Sequence, residues 1–112
     1  MEIADLCAAL VRIKSENPPG DTRDITEFMR EFASGLGLEM KVIMRRGGRH
    51  SLVSARPKGK LLFCGHIDCV PALPDGWSID PYAGIVRGGK VFGRGATDMK
   101  GGCAAVLWAC RE

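Results

Sequence analysis

The sequence lacks any apolar run long enough to cross a lipid bilayer. Its longest nearly apolar stretch, residues 101–110, is far shorter than the roughly 20 residues that a membrane-spanning helix needs. The start also lacks the basic segment and apolar run of a secretory leader, because Glu2 and Asp5 interrupt it. We therefore expect a cytoplasmic protein with no leader and no membrane partner.

Paired C-x-x-C cysteines are absent as well. The chain has five cysteines, an odd number that does not suit a complete disulfide framework: Cys7, Cys64, Cys69, Cys103 and Cys110. Reduced thiols in a cytosolic protein are the simplest interpretation. Cys64 and Cys69 flank His66, and thiolates favour zinc. We nevertheless expect both thiols to pack as small hydrophobic side chains.

Signals for nucleotide or nucleic-acid binding are weak. Gly93-x-Gly95 completes no G-x-G-x-x-G pattern, and Lys100-Gly101 is out of frame for a Walker loop. The basic run at residues 45–50 has no interleaved aromatic side chains, and the net charge of +3 is mild, so we expect an exposed turn and no nucleic-acid partner. At 112 residues the chain suits one small domain or part of a larger one.

Two helices are predicted in the first third of the chain. Apolar side chains recur every three or four residues over residues 2–15 and again over residues 25–36. Residues 17–20, Asn-Pro-Pro-Gly, predict a turn between the two helices. Either Asp21 or Thr22 can cap the second helix, since both side chains can accept a hydrogen bond from its first N–H groups.

Strands are predicted next. A period of two from Leu38 to Met44 predicts a half-buried strand, and a partner is predicted near Leu52–Ala55. The unbroken apolar run Leu61–Cys64 predicts a central strand covered on both faces. Residues 85–92, with two glycines at the middle, predict a hairpin. Residues 99–112 predict a last helix without a terminating residue, so we expect that the chain stops inside it.

A histidine and an aspartate directly follow the predicted central strand. The end of such a strand is where open α/β folds carry functional loops. Side chains two residues apart face the same way, so Asp68 can hold one ring nitrogen of His66 while the other nitrogen binds a metal. The alternative is a loop histidine that is merely hydrogen-bonded to a local carboxylate, which a motif this short leaves open.

A second candidate is Asp98, within the glycine-rich residues 93–102. The glycines allow a tight turn and a close approach of the backbone to a ligand. Asp98 stands where the last helix is predicted to begin. Its carboxylate can cap that helix, or it can be held at the helix start with two oxygens free to bridge two cations. From the local pattern alone, the cap is favoured.

Taken together, these segments show a longer pattern: G-H-x-D-x-V-P, then a tryptophan, an aspartate-proline pair and G-R-G-x-x-D-M-K-G-G. The residues that carry it are His66, Asp68, Val70, Pro71, Trp77, Asp80, Pro81, Gly93, Arg94, Gly95, Asp98, Met99, Lys100, Gly101 and Gly102. The pattern resembles the two-zinc metallohydrolase family that includes acetylornithine deacetylase, succinyl-diaminopimelate desuccinylase, aminoacylase and carboxypeptidase G. Residues 17–20 are similar to an early loop of that family, so the likeness runs along nearly the whole chain.

The resemblance implies a three-layer α/β/α fold with a mixed sheet and helices on both faces. It implies hydrolysis of amide bonds in N-acylated amino acids or small peptides, with two zinc ions that cobalt or manganese could replace. Carried over by position, His66 ligates one zinc, Asp98 bridges both, and Asp68 is the catalytic-site carboxylate that orients His66. A glutamate takes a proton from the attacking water and passes it to the leaving nitrogen.

The resemblance also implies parts that this sequence does not contain. In the family, paired glutamates, a further acidic ligand and a distant histidine lie beyond the position of Asp98. A lid domain that contributes substrate recognition and the homodimer contact is absent too. We therefore expect residues 1–112 to be the N-terminal portion of the catalytic domain, to bind zinc weakly and to be inactive alone. The alternative is a stand-alone binding or regulatory module without the chemistry.

Overall fold

Two helices, two short hairpins and a third helix follow one another along residues 1–54 and 58–111, the part of the chain that the computed structural model describes. The elements are α1 (Ile3–Arg12), α2 (Arg23–Gly35), β1 (Lys41–Ile43), β2 (Ser51–Val53), β3 (Ile85–Arg87), β4 (Lys90–Phe92) and α3 (Gly101–Ala109). This arrangement agrees with the α/β class. The mixed sheet and the three layers are not seen in these ranges, where the strands form two separate antiparallel pairs. Within the same ranges, no helix is long and apolar enough to span a membrane.

The core lies where the three helices meet. Leu6, Leu10 and Val11 of α1 are fully buried. They pack in one cluster with apolar side chains of α2 and α3, which include Ile25, Met29, Ala33, Cys103, Ala104 and Leu107. The burial of these faces explains the three-and-four spacing in the sequence, because that spacing places apolar side chains on one side of a helix. The helix predictions for residues 2–15 and 25–36 are thus confirmed in their essentials.

Helix α1 ends three residues before the predicted boundary. Ile13 is already extended, with φ −89° and ψ 110°, so the helix stops at Arg12. The segment after it then runs beside Cys69, with which Glu16 forms an isolated parallel bridge. This early end frees residues 15–17 to support another loop instead of continuing the helix.

Both cap candidates, Asp21 and Thr22, lie at the start of α2, but they make different contacts. Thr22 occupies the N-cap position, but its hydroxyl donates to the carbonyl of His50 at 2.7 Å. The Asp21 carboxylate accepts the N–H of Arg23, the first helical residue, at 3.1 Å. Hydrogen bonding to Arg23 lowers the pKa of Asp21 to about 2. Thr22 therefore stands at the N-cap position without a capping hydrogen bond from its side chain, and Asp21 accepts the hydrogen bond from a helical N–H.

The first hairpin is shorter than the sequence predicts. Strand β1 begins at Lys41 instead of Leu38, and it pairs with β2 in the register Lys41 to Val53. Leu38 cannot join the strand because its N–H donates to the carbonyl of Ala33 at the end of α2, at 2.9 Å. The prediction for the second strand extended to Ala55, which lies outside the described residues.

The prediction of a buried central strand at Leu61–Cys64 is wrong for this chain. Leu61, Leu62 and Phe63 are 75%, 86% and 57% exposed, and Cys64 is exposed too. Burial on both faces requires a strand on each side and a covering layer. Within residues 1–54 and 58–111, no strand pairs with this segment. The packing role expected of Cys64 is therefore also wrong, whereas Cys69 is buried as expected.

The second hairpin and the glycine-rich segment are held against α1. Strands β3 and β4 pair as predicted around Gly88-Gly89, both with positive φ, which suits a two-residue hairpin turn. The Arg12 guanidinium donates to the carbonyls of Ala83 and Gly84 at 3.0 and 2.9 Å. After β4, the chain turns back over α1 at Gly93 and reaches α3, which begins two residues later than predicted. Helix α3 ends at Ala109 with Cys110 as its C-cap, so the prediction that the chain stops inside this helix is wrong.

Gly93 is expected to be intolerant of any side chain. Its φ of +153° is strained for other residues, and an added Cβ would overlap Val11 and lie 2.8 Å from the Pro81 carbonyl oxygen. We expect Gly93→Ala to lower the free energy of unfolding by at least about 3 kcal/mol, the sum of backbone strain and overpacking. Gly89→Ala is the matched control, because Gly89 also has positive φ but has open space around it. It should cost about 1–2 kcal/mol. Urea denaturation of both variants checks this, and equal losses would contradict it.

Candidate metal centre

The loop that carries His66 and Asp68 is pinned to the segment after α1. Cys69 donates its N–H to the Ser15 carbonyl at 3.0 Å, and Asn17 donates its N–H to the Cys69 carbonyl at 2.8 Å. The Ser15 hydroxyl adds a hydrogen bond to the carbonyl of Ile67 at 2.7 Å. Because these bonds fix the backbone on both sides of Asp68, the loop has a defined position without belonging to a sheet.

Helix α3 and the residue pair before it hold the other end of the loop. The His66 N–H donates to the Met99 sulfur at 3.4 Å, and the Cys103 thiol donates to the His66 carbonyl at 3.2 Å. The backbone at Gly65 also packs closely against this helix, because a Cβ at this position would lie 2.9 Å from the Met99 methyl carbon. His66 therefore projects from a backbone that is clamped to α3.

Asp98 lies in a short irregular segment between β4 and α3. Its backbone is non-helical, with φ −124° and ψ 92°, and the N-cap position of α3 belongs to Lys100. The cap interpretation of Asp98 is therefore wrong. Two residues separate it from the first residue of α3, so its carboxylate extends away from the helix and its side chain is 84% exposed. In this exposed position the Asp98 carboxylate lies at hydrogen-bond distance from His66.

The His66 ring lies between two carboxylates. Its Nε2 is 2.8 Å from Asp98 Oδ1, and its Nδ1 is 3.1 Å from Asp68 Oδ1. The hydrogen bond to Asp98 raises the pKa of His66 above its usual 6.5, and Asp68 contributes in the same direction. The structure thus brings together all three residues singled out in the sequence, from segments 32 positions apart.

The donor types at this point suit zinc, but the donors are few. An imidazole nitrogen and a carboxylate oxygen face each other, and both are common zinc ligands. Zinc takes three or four protein ligands in most sites. Within residues 1–54 and 58–111, no group of three or more histidine, cysteine, aspartate or glutamate side chains could hold a metal ion. The described residues therefore place one nitrogen donor and one oxygen donor together, without the third ligand that most zinc sites have.

Two cavities open on either side of these residues. One of about 420 Å³ reaches from His66 to the first hairpin, and one of about 370 Å³ contains Asp98, Trp77 and Arg94. The Arg94 guanidinium lies 5.1 Å from the centre of the Trp77 ring. Its buried Nε has no hydrogen-bond partner within the described ranges. The His66 ring thus borders space on both sides, which a reacting molecule could enter.

One residue in this site was not recognised from the sequence. Asn17 lines both cavities, and its amide Nδ2 donates to Asp68 Oδ2 at 3.0 Å. The sequence identifies Asn17 as the first residue of a turn and as part of a loop similar to one in the family, without assigning it a role. Its position before two prolines is a local signal, and nothing in that signal indicates contact with a carboxylate 51 residues away.

Comparison with known proteins adds a family and a fold. The family described as Peptidase family M20/M25/M40 matches residues 62–112. Succinyl-diaminopimelate desuccinylases from Nautilia profundicola and Aliarcobacter butzleri are 35% and 36% identical to the chain over 115 residues, which cover 100% of this chain and 30% of each relative. An M20 family metallo-carboxypeptidase, Sso-CP2 from Sulfolobus solfataricus, superposes with a TM-score of 0.81 at 23% identity, over 99% of this chain and 26% of that one. That last likeness shows the fold. The chain spans about 30% of the length of the curated relatives it matches.

Replacing Asp98 should lower the pKa of His66 toward its usual value. Asp98→Asn keeps the shape of the side chain but removes the charge that favours the protonated ring. Since the folded-state pKa lies above 6.5, the contact contributes stability that is fully present below about pH 6.5 and is lost as the pH rises through the folded-state value.

A histidine-ring titration followed by NMR checks this prediction. The ring signals of His50 serve as the internal reference, because the structure shows no hydrogen bond between that ring and Asp68 or Asp98. An unchanged His66 titration curve in Asp98→Asn would show that the two side chains do not interact in solution.

Proposed function

We propose that the chain is the N-terminal portion of the catalytic domain of a metal-dependent amide hydrolase, because residues 62–112 match Peptidase family M20/M25/M40. The proposed substrates are N-acylated amino acids or small peptides. The observation that carries the proposal is the 2.8 Å approach of His66 Nε2 to Asp98 Oδ1. Two motifs that are distant in sequence supply one nitrogen and one oxygen donor at a single point beside two cavities.

Each of the three residues has a distinct proposed role. His66 would hold one zinc ion through Nε2, and the exposed carboxylate of Asp98 would be shared by two. Asp68 accepts a hydrogen bond from the N–H at His66 Nδ1, which leaves the lone pair of a neutral ring on Nε2. The chemistry that such cations supply when bound is Lewis-acid polarisation of the scissile carbonyl. Cobalt or manganese could take the place of zinc, since nitrogen and oxygen ligands select weakly among these ions.

The remaining ligands and the general base are proposed to lie in the part of the protein that corresponds to the rest of its relatives. The matched segments cover 30% of those relatives, which leaves ample length for them. A lid domain with the homodimer contact belongs to the same proposal, as does a cytoplasmic location. The name that the relatives carry, succinyl-diaminopimelate desuccinylase, makes an N-succinylated amino acid the first substrate to test.

The exposed segment Leu61–Cys64 supports the proposed three-layer fold. An apolar run with three side chains 57–86% exposed is unusual for a folded protein, because such a patch favours association with another surface. We propose that in the complete domain this segment is a central strand of the mixed sheet. Strands from the rest of the domain would pair with it, and further helices would cover it.

Zinc is expected to bind this chain weakly and through His66 and Asp98. With His66 and a shared Asp98 as ligands, neither proposed cation reaches the three protein ligands that a tight site needs. We expect calorimetry to give a dissociation constant well above the micromolar range for the isolated chain. His66→Ala and Asp98→Ala should each abolish the binding, whereas His50→Ala, the matched histidine control, should leave it unchanged.

The same preparation should show no turnover of an N-succinylated or N-acetylated amino acid. Two tight zinc sites, or hydrolysis of either substrate by residues 1–112 alone, would contradict the proposal that the catalytic set is shared with another part of the protein. Binding that survives both His66→Ala and Asp98→Ala would instead place the metal elsewhere and favour a non-catalytic module.

A charged substitution in the segment Leu61–Cys64 should have opposite effects in the isolated chain and in a longer protein. Leu62→Asp is expected to reduce self-association of the isolated chain, because Leu62 is 86% exposed there. In a longer protein that completes the domain, the same change would bury a carboxylate and destabilise the fold by several kcal/mol. Light scattering on the first and thermal unfolding of the second measure this. Val70→Asp is the control, since Val70 is exposed but lies outside the run. Equal stability of the longer protein with and without Leu62→Asp would rule out a central strand.

A further inference from the structure

The Asp68 carboxylate is held from two sides. One oxygen, Oδ1, faces the His66 ring, and the other, Oδ2, accepts a hydrogen bond from the Asn17 side-chain amide at 3.0 Å. A carboxylate can only accept hydrogen bonds, so the amide nitrogen, and not the amide oxygen, must face it. With both oxygens engaged by different partners, rotation of the carboxylate about its bond to Cβ breaks at least one hydrogen bond.

The backbone of Asn17 is itself fixed against the loop that it supports. Its N–H donates to the Cys69 carbonyl at 2.8 Å, one residue beyond Asp68. The preceding residue, Glu16, accepts a hydrogen bond from the Tyr82 hydroxyl. That hydrogen bond lowers the pKa of Glu16, so the carboxylate stays ionised and remains an acceptor. The Asn17 amide is therefore presented to Asp68 from a segment that is anchored on both sides.

From this geometry we propose that Asn17 is a positioning residue for the candidate metal centre. It acts on His66 through Asp68. The amide fixes the plane of the carboxylate, and the carboxylate shares the N–H at His66 Nδ1 with the Asp68 main-chain carbonyl, since each oxygen lies 3.1 Å from that nitrogen. The consequence for metal binding rests on the proposed function. The orientation of the ring does not, because the chain of hydrogen bonds from Asn17 to His66 contains only side chains of this protein.

The test compares two variants of Asn17 and one control variant of Tyr82, each as the ¹⁵N-labelled chain without metal. Asn17→Leu removes the donor with little change in size, and Asn17→Asp keeps the shape but places a second negative charge against Asp68. Long-range ¹H–¹⁵N spectra of the histidine rings report which ring nitrogen carries the proton and how fast that proton exchanges with water. We expect the His66 Nδ1 proton to exchange about tenfold faster in Asn17→Leu, and faster still in Asn17→Asp, because a hydrogen bond to a charged group is lost.

Tyr82→Phe is the matched control within the same anchor. It removes the hydrogen bond to Glu16 but leaves the Asn17 amide in place, so it should leave the His66 proton unchanged. An unchanged His66 signal in both Asn17 variants, with circular dichroism showing a folded chain, would overturn the proposal. So would an equal effect of Tyr82→Phe, because the anchor as a whole and not the amide would then be responsible. If Asn17→Leu does not fold, Asn17→Asp decides the matter alone.

A zinc titration of the same variants separates this proposal from the proposed function. We expect Asn17→Leu to weaken zinc binding by about 3- to 10-fold, toward the low end of what partners of metal ligands contribute, since Asn17 acts one contact further away. A wild-type chain that binds no zinc in any buffer would count against the metal function only. The exchange of the His66 Nδ1 proton would still decide the role of Asn17.

Discussion

The site depends on two backbone hydrogen bonds that tie the loop of Asp68 to the segment after α1. Cys69 donates to Ser15, and Asn17 donates to Cys69, so the two segments run side by side without any sheet around them. Each bond is worth about 1 kcal/mol on its own. They matter more for the geometry of the site than for stability, because they place Asp68 at hydrogen-bond distance from Asn17 and orient His66 toward Asp98. The early end of α1 at Arg12 is what makes this pairing possible.

Much of the fold could be predicted because its signals are local and repeated. The helices at residues 3–12 and 23–35 and the hairpin around Gly88-Gly89 follow from periodicity and turn chemistry, which short windows of sequence contain. The segment Leu61–Cys64 could not be placed in the same way. An apolar run signals that something should cover it, but not whether the covering elements are present. Its exposure reflects what surrounds it and not its composition.

In the candidate site too, residues with a local sequence signal could be predicted, and residues that depend on distant contacts could not. His66 and Asp68 were recognisable because two residues on an extended backbone face one side. Asp98 was recognisable only through a longer pattern, since the preference of aspartate for helix starts predicted a cap that the structure does not show. Asn17 was not recognisable at all as a partner of Asp68. Its role comes from a contact across 51 residues, and a contact of that kind is a property of the folded chain.

The fully buried Lys100 links the glycine-rich segment to the core. Its ammonium group donates to the Ile13 carbonyl at 2.7 Å, at the end of α1 where the partial negative charge of the helix favours a cation. The glycine-rich segment thus contains a fully buried side chain, Lys100, two residues after a highly exposed one, Asp98. A substitution of Lys100 would disturb the contact between α1 and α3, and with it the position of Asp98. Substitutions at Lys100 and at Asp98 would therefore both disturb the candidate metal centre, although Lys100 supports the architecture and the Asp98 carboxylate is part of the centre itself.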